Sequence, residues 1–375
     1  MSGGADSLRT AALLQAQGHE VSAIHMRSLP HFQNQFWDGE TAIRTREHNL
    51  KHVAAQLNIP LTIVDLRNAF DTLVIQPFLT AYRSGLTPNP CILCNQRVKF
   101  GLLLEEANRL GAESLATGHY VRLAAPDDTS QRFRLHRARD CRKDQSYFLY
   151  ALSQYQLAKA LFPLGNALKE EVLLWTRETG LANRLPEESQ EICFIPAGNY
   201  RDFLKERLEG TGTLNGGQII DVDGNVLGRH QGIFAYTVGQ RRGLGIPSTA
   251  PYYVIELDPV KRIVRVGREE HLYQREMMVA ELNWVSIPPP DGPIRCQVRI
   301  RNQHQPAQAS VTLHAADRAA VCFDNPQRAI TPGQAAVFYD QDLLLGGGVI
   351  TSEGLRQGTD TRHPQDIGSS VGNSG

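Results

Sequence analysis

No apolar run in this sequence reaches the ~18 residues needed to cross a bilayer as a helix. No basic segment followed by an apolar stretch stands near its start. These absences set aside a spanning helix and a secretory leader, and they predict a cytoplasmic protein with reduced thiols and no membrane partner. An excess of either charge is also missing, since 39 basic residues balance 39 acidic ones. Bulk attraction to phosphate is therefore not indicated, although a local basic face would escape such a sum. There is no internal repeat, and six cysteines spread over 375 residues make no disulfide framework. Such a length implies two or three domains with cores that need no covalent staples.

What is present is alternation. Leu8 to Gln17 has helical composition and Gly18 is placed to end it. Val21 to Met26 is strand-like, Thr41 to Leu57 has helical spacing, and Leu61 to Leu66 is strand-like again. Arg97 to Leu110 reads as a helix stopped by Gly111, and Ser114 to Thr117 as a small strand. Helix–strand alternation predicts βαβ units and a largely parallel, Rossmann-like sheet, an α/β domain over residues 1–204. From there the pattern turns all-β. Gly216 to Ile220, Tyr252 to Leu257 and Arg262 to Val266, with a hairpin signal at Asp223-Gly224, predict a small β-rich central domain over 205–276. Cys296 to Ile300, Ala309 to Leu313, Ala319 to Phe323 and Ala335 to Tyr339 predict a C-terminal β-barrel over 277–357. Residues 358–375 are polar and Gly-rich, as in a disordered tail.

Ser2-Gly3-Gly4-Ala5-Asp6-Ser7 stands directly before the first helix. Two glycines let the backbone approach an anion, and the N–H groups of the helix start point at it. Ser2 and Ser7 add hydroxyl donors, while Asp6 suits a magnesium ion bridging phosphates. Read as composition alone, the same residues make a flexible tail. Thr87 to Asn95 holds two prolines around Asn89, which predict a stiff extended loop carrying Cys91 and Cys94. Cys94 falls two residues before the helix expected from Arg97, where a helix N-terminus favours thiolate. Cys193 lies among apolar neighbours, which fit an inert core cysteine equally well. Cys141, Cys296 and Cys322 carry no motif, and the last two read as core residues in strands.

The Ser2 to Ser7 segment resembles the SGGxDS loop of the PP-loop ATP pyrophosphatases, which adenylate a carbonyl oxygen and release pyrophosphate. In that superfamily a buried strand runs into the loop. The expectation here is either a start codon further upstream or a copy without its central strand. Thr87 to Asn95, Ala116 to Tyr120, Lys143 to Leu149, Ile192 to Ile195, Thr237 to Ile246, Thr331 to Tyr339 and Leu345 to Ile350 follow in order. Together they resemble the tRNA-specific 2-thiouridylases over residues 1 to about 352.

That resemblance implies an enzyme that uses ATP and Mg²⁺ to thiolate the wobble uridine of glutamate, glutamine and lysine tRNAs at its 2-position. It implies Cys94 and Cys193 as catalytic residues. Cys193 would carry a persulfide charged by a sulfur-relay protein or cysteine desulfurase, and a transient Cys94–Cys193 disulfide would follow. Ser2, Gly3, Gly4, Asp6, Ser7, Met26 and Gly118 would bind the nucleotide. Asn89, Pro90 and Cys91 would meet the flipped base. His119, Lys143, Asp144 and Gln145, with Arg301, Asn302 and Gln334 from the barrel, would touch the tRNA. Without the resemblance, Lys143, Asp144 and Arg301 read as solvated surface and His119 as structural. Position 91 is commonly Asp in that family and is Cys here. Cys91, Cys94 and Cys193 could instead hold an iron–sulfur cluster, an alternative that competes with the relay because ligated thiols cannot form it. Two rivals are an ammonia-using PP-loop synthetase, for which no glutaminase segment is visible, and a catalytically impaired tRNA-binding relative.

Overall fold

The computed structural model describes residues 1–29, 40–128, 130–181, 192–195, 200–208 and 216–353. Helix α1 (Ala5–Ala16) begins at Gly4, whose extended backbone serves as the N-cap, and it buries Leu8, Ala11 and Leu14. Gly18 ends it at φ +87°. Strand β1 (Ala23–Arg27), helix α2 (Glu40–Gln56) and strand β2 (Leu61–Asp65) form the first βαβ unit. β1 and β2 pair in parallel with Ala23 opposite Leu61, and α2 buries Leu50, Val53 and Ala54.

A helical run follows: α3 (Arg67–Phe70), a wide i→i+5 turn over Asp71–Ile75, and α4 (Gln76–Arg83). A second run contains α5 (Pro90–Leu93), a wide stretch over Cys94–Leu102, and α6 (Leu103–Arg109). The helix expected from Arg97 thus starts seven residues earlier, at Pro90, because Asn89 caps it and proline fits a first helical turn. This corrects two expectations. The stiff loop ends at Asn89, and Cys94 lies inside the helical run rather than before it. Next come β3 (Leu115–Ala116), the hairpin strands β4 (Val121–Ala124) and β5 (Arg134–Arg137), α7 (Gln154–Ala158), β6 (Ala160–Leu161), α8 (Lys169–Glu178) and α9 (Tyr200–Leu208). β3 and β6 pair in parallel. Among the described residues of this α/β part the parallel strands form two separate pairs, β2–β1 and β3–β6.

The central part is a four-stranded sheet in the order β8-β7-β10-β9, made of β7 (Gly217–Ile220), β8 (Val226–His230), β9 (Tyr253–Asp258) and β10 (Ile263–Gly267). Its Asp221–Asn225 hairpin turns at Gly224, φ +88°. The C-terminal part is a closed six-stranded antiparallel barrel, β11-β14-β13-β12-β15-β16, with β16 returning to β11. Its strands are β11 (Tyr273–Trp284), β12 (Ile294–Arg299), β13 (Ala307–Ala315), β14 (Arg318–Arg328), β15 (Ala335–Asp340) and β16 (Leu343–Ile350). The expected tail at 358–375 lies outside the described residues.

The barrel is not a free appendage. Leu344 of β16 pairs with Leu135 of β5, so the β4–β5 hairpin extends the barrel sheet. Along β15, Ala336 and Phe338 point into the barrel core, while Ala335, Val337 and Tyr339 pack on Val121, Leu135 and Tyr147. Burial on both faces explains why Ala335 to Tyr339 is a continuous apolar run rather than an alternating one. Cys296 is buried as expected, whereas Cys322 is exposed: it faces outward from β14, between inward-facing Val321 and Phe323.

Candidate active site

A cleft of about 2140 Å³ opens beside α1 and passes between β1 and β3. Its first corner is the phosphate loop. Gly3 takes φ +88°, Gly4 N–H donates to Ser2 Oγ at 3.3 Å, and Ser7 Oγ donates to Gly4 O at 2.9 Å. Asp6 faces across the cleft to α8, where Lys169 Nζ donates to both its carboxylate oxygens at 2.7 and 2.8 Å. Tyr120 Oη donates to the same carboxylate at 2.8 Å. Lys169 is buried and was invisible to motif reading, because it stands 163 residues from Asp6. The loop at a helix start, two hydroxyls and a buried ammonium are groups that suit a polyphosphate.

Gly118 lies against this corner for a steric reason. A Cβ there would sit 2.9 Å from Asp6 Cβ and 3.0 Å from Asp6 C. Gly118→Ala is expected to push the loop away and slow ATP-dependent pyrophosphate release about 10²-fold, as misplacement by an ångström does. A pyrophosphate-release assay checks this; wild-type rates in the variant would show that the loop tolerates the methyl group.

The second corner holds the thiols. Asn89 Oδ1 accepts from Cys91 N at 3.2 Å, and the turn before it is clamped by the barrel: Thr87 N donates to Pro332 O at 2.9 Å, and Gln334 Nε2 donates to Thr87 O at 2.8 Å. Gly333, at φ +90°, lets that contact form, since its Cβ would meet Thr87 N at 2.8 Å. Cys94 is buried above Phe70, Phe78 and Phe194, whereas Cys193 is open to solvent, contrary to a core reading. Cys193 lines the cleft, and burial there, followed by the neighbouring thiols of Cys94 and Cys91, pushes its thiol up to about 12. Burial raises Cys91 and Cys94 as well, so the thiolate expected at a helix start is not favoured at Cys94. All six cysteines are free. Among the described residues no three His, Cys, Asp or Glu side chains converge on the position of a single metal ion.

Comparison with known proteins decides the kinship. The chain is 46% identical over 354 residues to the tRNA-specific 2-thiouridylase MnmA of Syntrophotalea carbinolica, covering 93% of this chain and 97% of that protein. It is 47% identical over 352 residues to the protein of that name in Trichlorobacter lovleyi, covering 93% and 96%. The chain belongs to the tRNA-specific 2-thiouridylase family. Family models described as a tRNA methyl transferase HUP domain, a tRNA methyl transferase PRC-barrel domain and an aminomethyltransferase β-barrel domain match residues 1–197, 201–268 and 274–350.

Of the residues that resemblance to the thiouridylases singled out, Ser2, Gly4, Asp6, Ser7, Met26, Pro90, Cys91, Cys94, Gly118, His119, Gln145 and Cys193 line this one cleft. Gly3 shapes the loop without lining it. Asn89 caps the helix, and Gln334 holds the turn of Thr87. Asp144 is turned inward, accepting from Arg299 Nη1 at 3.2 Å, Ser146 Oγ at 2.9 Å and Ala138 N at 3.2 Å. Arg301 Nη1 donates to Arg328 O at 3.2 Å, and Asn302 O accepts from Arg299. Lys143, Asp144, Arg301, Asn302 and Gln334 therefore stand apart from the cleft lining. Among the described residues no helix is long and apolar enough to cross a membrane.

Proposed function

We propose that this protein is a tRNA-uridine 2-sulfurtransferase that adenylates the uridine carbonyl with ATP and replaces the oxygen with sulfur carried by cysteine. The observation that supports this most directly is the joint placement of the phosphate loop, Gly118, Cys94 and Cys193 along one cleft. A ring carbonyl oxygen is a poor leaving group, and transfer of AMP to it makes it a good one. Helix-start N–H groups and Lys169 can stabilise the charge that develops on the phosphates, and bound magnesium would supply further electrophilic assistance at Asp6.

Cys193, open to the cleft, is the site that an external sulfur donor can reach and charge as a persulfide. The terminal sulfur attacks C2 and AMP leaves. The Cys94 thiolate then attacks Cys193 Sγ; the bond between that Sγ and the transferred sulfur breaks, and its electron pair stays with the sulfur on the base. The product is a thiolated tRNA and a Cys94–Cys193 disulfide, which an external dithiol reduces to reset the pair. Pro90 and Cys91 line the same corner and would face the flipped base, whose removal from its stack the chemistry requires. Glutamate, glutamine and lysine tRNAs are the expected substrates. The barrel's hold on the turn of Thr87 brings Gln334 beside that corner, and Arg301 and Asn302 of the same barrel would extend the tRNA contact.

Incubation of unmodified lysine tRNA with the protein, ATP, Mg²⁺ and a sulfide source, read by mercury-affinity gel shift, tests the reading. A retarded band that requires ATP supports it. Tight tRNA binding with no band would favour a catalytically impaired relative.

A further inference from the structure

Lys99 was not marked by any motif and has no part in the steps above. It lies five residues after Cys94 on the wide helical stretch Cys94–Leu102 and lines the same cleft as Cys91, Cys94 and Cys193. Its Nζ stands 3.5 Å from His119 Nε2. An ammonium only donates, so Nε2 must accept. The His119 proton then sits on Nδ1, which donates to Thr117 Oγ1 at 2.8 Å. Burial and the nearby Lys99 charge both hold His119 neutral. Lys99 thus receives a lone pair from His119 but no negative charge. Among the described residues no Asp or Glu pairs with it.

Among the described residues of the cleft, the groups that feel this charge are His119 from the segment after β3, Cys193 from the segment 192–195, and Cys91 and Cys94 from its own helix. Burial raises all three thiols, and the charge of Lys99 opposes that rise at each. A cation with no carboxylate partner among the described residues, in a cleft where anionic sulfur is otherwise disfavoured, is complementary to sulfur in its charged form. The wide i→i+5 turns re-aim residues on this stretch relative to a regular helix, a geometry found often at functional sites.

We propose that Lys99 is the charge-positioning residue of the thiol corner, its ammonium holding the anionic sulfur at Cys94 and Cys193 while His119 fixes the ammonium in place. The proposal rests on the sulfurtransferase reading, but its test needs neither ATP nor tRNA. Iodoacetamide alkylation of the full chain, followed at each cysteine by mass spectrometry between pH 7 and 9, reads thiolate directly. Lys99→Met and Lys99→Gln are expected to slow alkylation of Cys94 and Cys193 about tenfold at pH 8, the effect of a one-unit rise in thiol pKa. Exposed Cys322, far out on β14, should react at the wild-type rate as the internal control. Lys99→Arg should restore most of the reactivity, which a purely spatial role would not. Wild-type rates at Cys94 and Cys193 in both neutral variants would overturn the proposal, as would equal slowing at Cys322. Because the wild-type rates are measured without substrate, a protein that fails to thiolate tRNA can still pass or fail this test.

Discussion

Cys193→Ser and Cys94→Ser are each expected to lower multiple-turnover thiolation of tRNA about 10³-fold or more, as loss of a nucleophile does, while ATP-dependent pyrophosphate release continues. The two variants should stop at different points. Without Cys193 no persulfide forms. Without Cys94 the persulfide sulfur still attacks C2, and the tRNA stays joined to Cys193 through the unbroken S–S bond, detectable as a protein–tRNA adduct that a dithiol releases. The same corner predicts a pH dependence. Burial raises the Cys94 thiol and raises Cys193 to about 12, so at pH 7 the thiol form dominates at both. Raised acid groups gain their anion as pH rises, and single-turnover sulfur release should climb about tenfold per unit between pH 7 and 9. A flat profile, or full turnover in Cys94→Ser, would remove Cys94 from the reaction.

Lys169→Met should act on the other half of the chemistry. It takes away an ammonium that donates twice to Asp6 and stands beside the Tyr120 ring. Loss of one preorganised charge at a site of developing negative charge costs about 10²–10³-fold in rate. The expected result is pyrophosphate release slowed by that factor, with tRNA binding retained in a filter assay. Lys169→Arg should recover part of the rate, and Tyr120→Phe should lose far less, since it removes one neutral donor and leaves the charge. Buried Lys169 also helps dock α8 onto α1, so a melting curve of each variant separates lost fold from lost chemistry. Wild-type pyrophosphate release in a folded Lys169→Met protein would show that this ion pair is architectural.

Much was legible along the chain. The glycines and serines before α1 could be read locally, since a helix start with a Gly-rich lead favours an anion through its own N–H groups. Alternation gave the βαβ pattern and then the β-rich parts, because period 2 and period 3.6 are properties of consecutive residues. The helix start at Asn89-Pro90 was also written locally and was misread: the two prolines suggested a continuing loop, whereas Asn capping and proline at the first helical position favour a helix. That shift of a few residues moved Cys94 from an imagined helix end into a buried helical turn and reversed the direction of its thiol.

The sequence by itself determined the element types, the Gly-rich helix start, the order of the cysteine segments and so the family. Tertiary structure decided which of those residues meet. Lys169 reaches Asp6 across 163 positions, Lys99 turns to His119, and the barrel holds the Thr87 turn through Gln334 across 247 positions. Charge pairing, burial of a thiol and the tautomer of a histidine depend on atoms brought together by packing. Periodicity and local spacing report only the neighbours along the chain, so these features became visible when the two ends of the fold closed on one cleft.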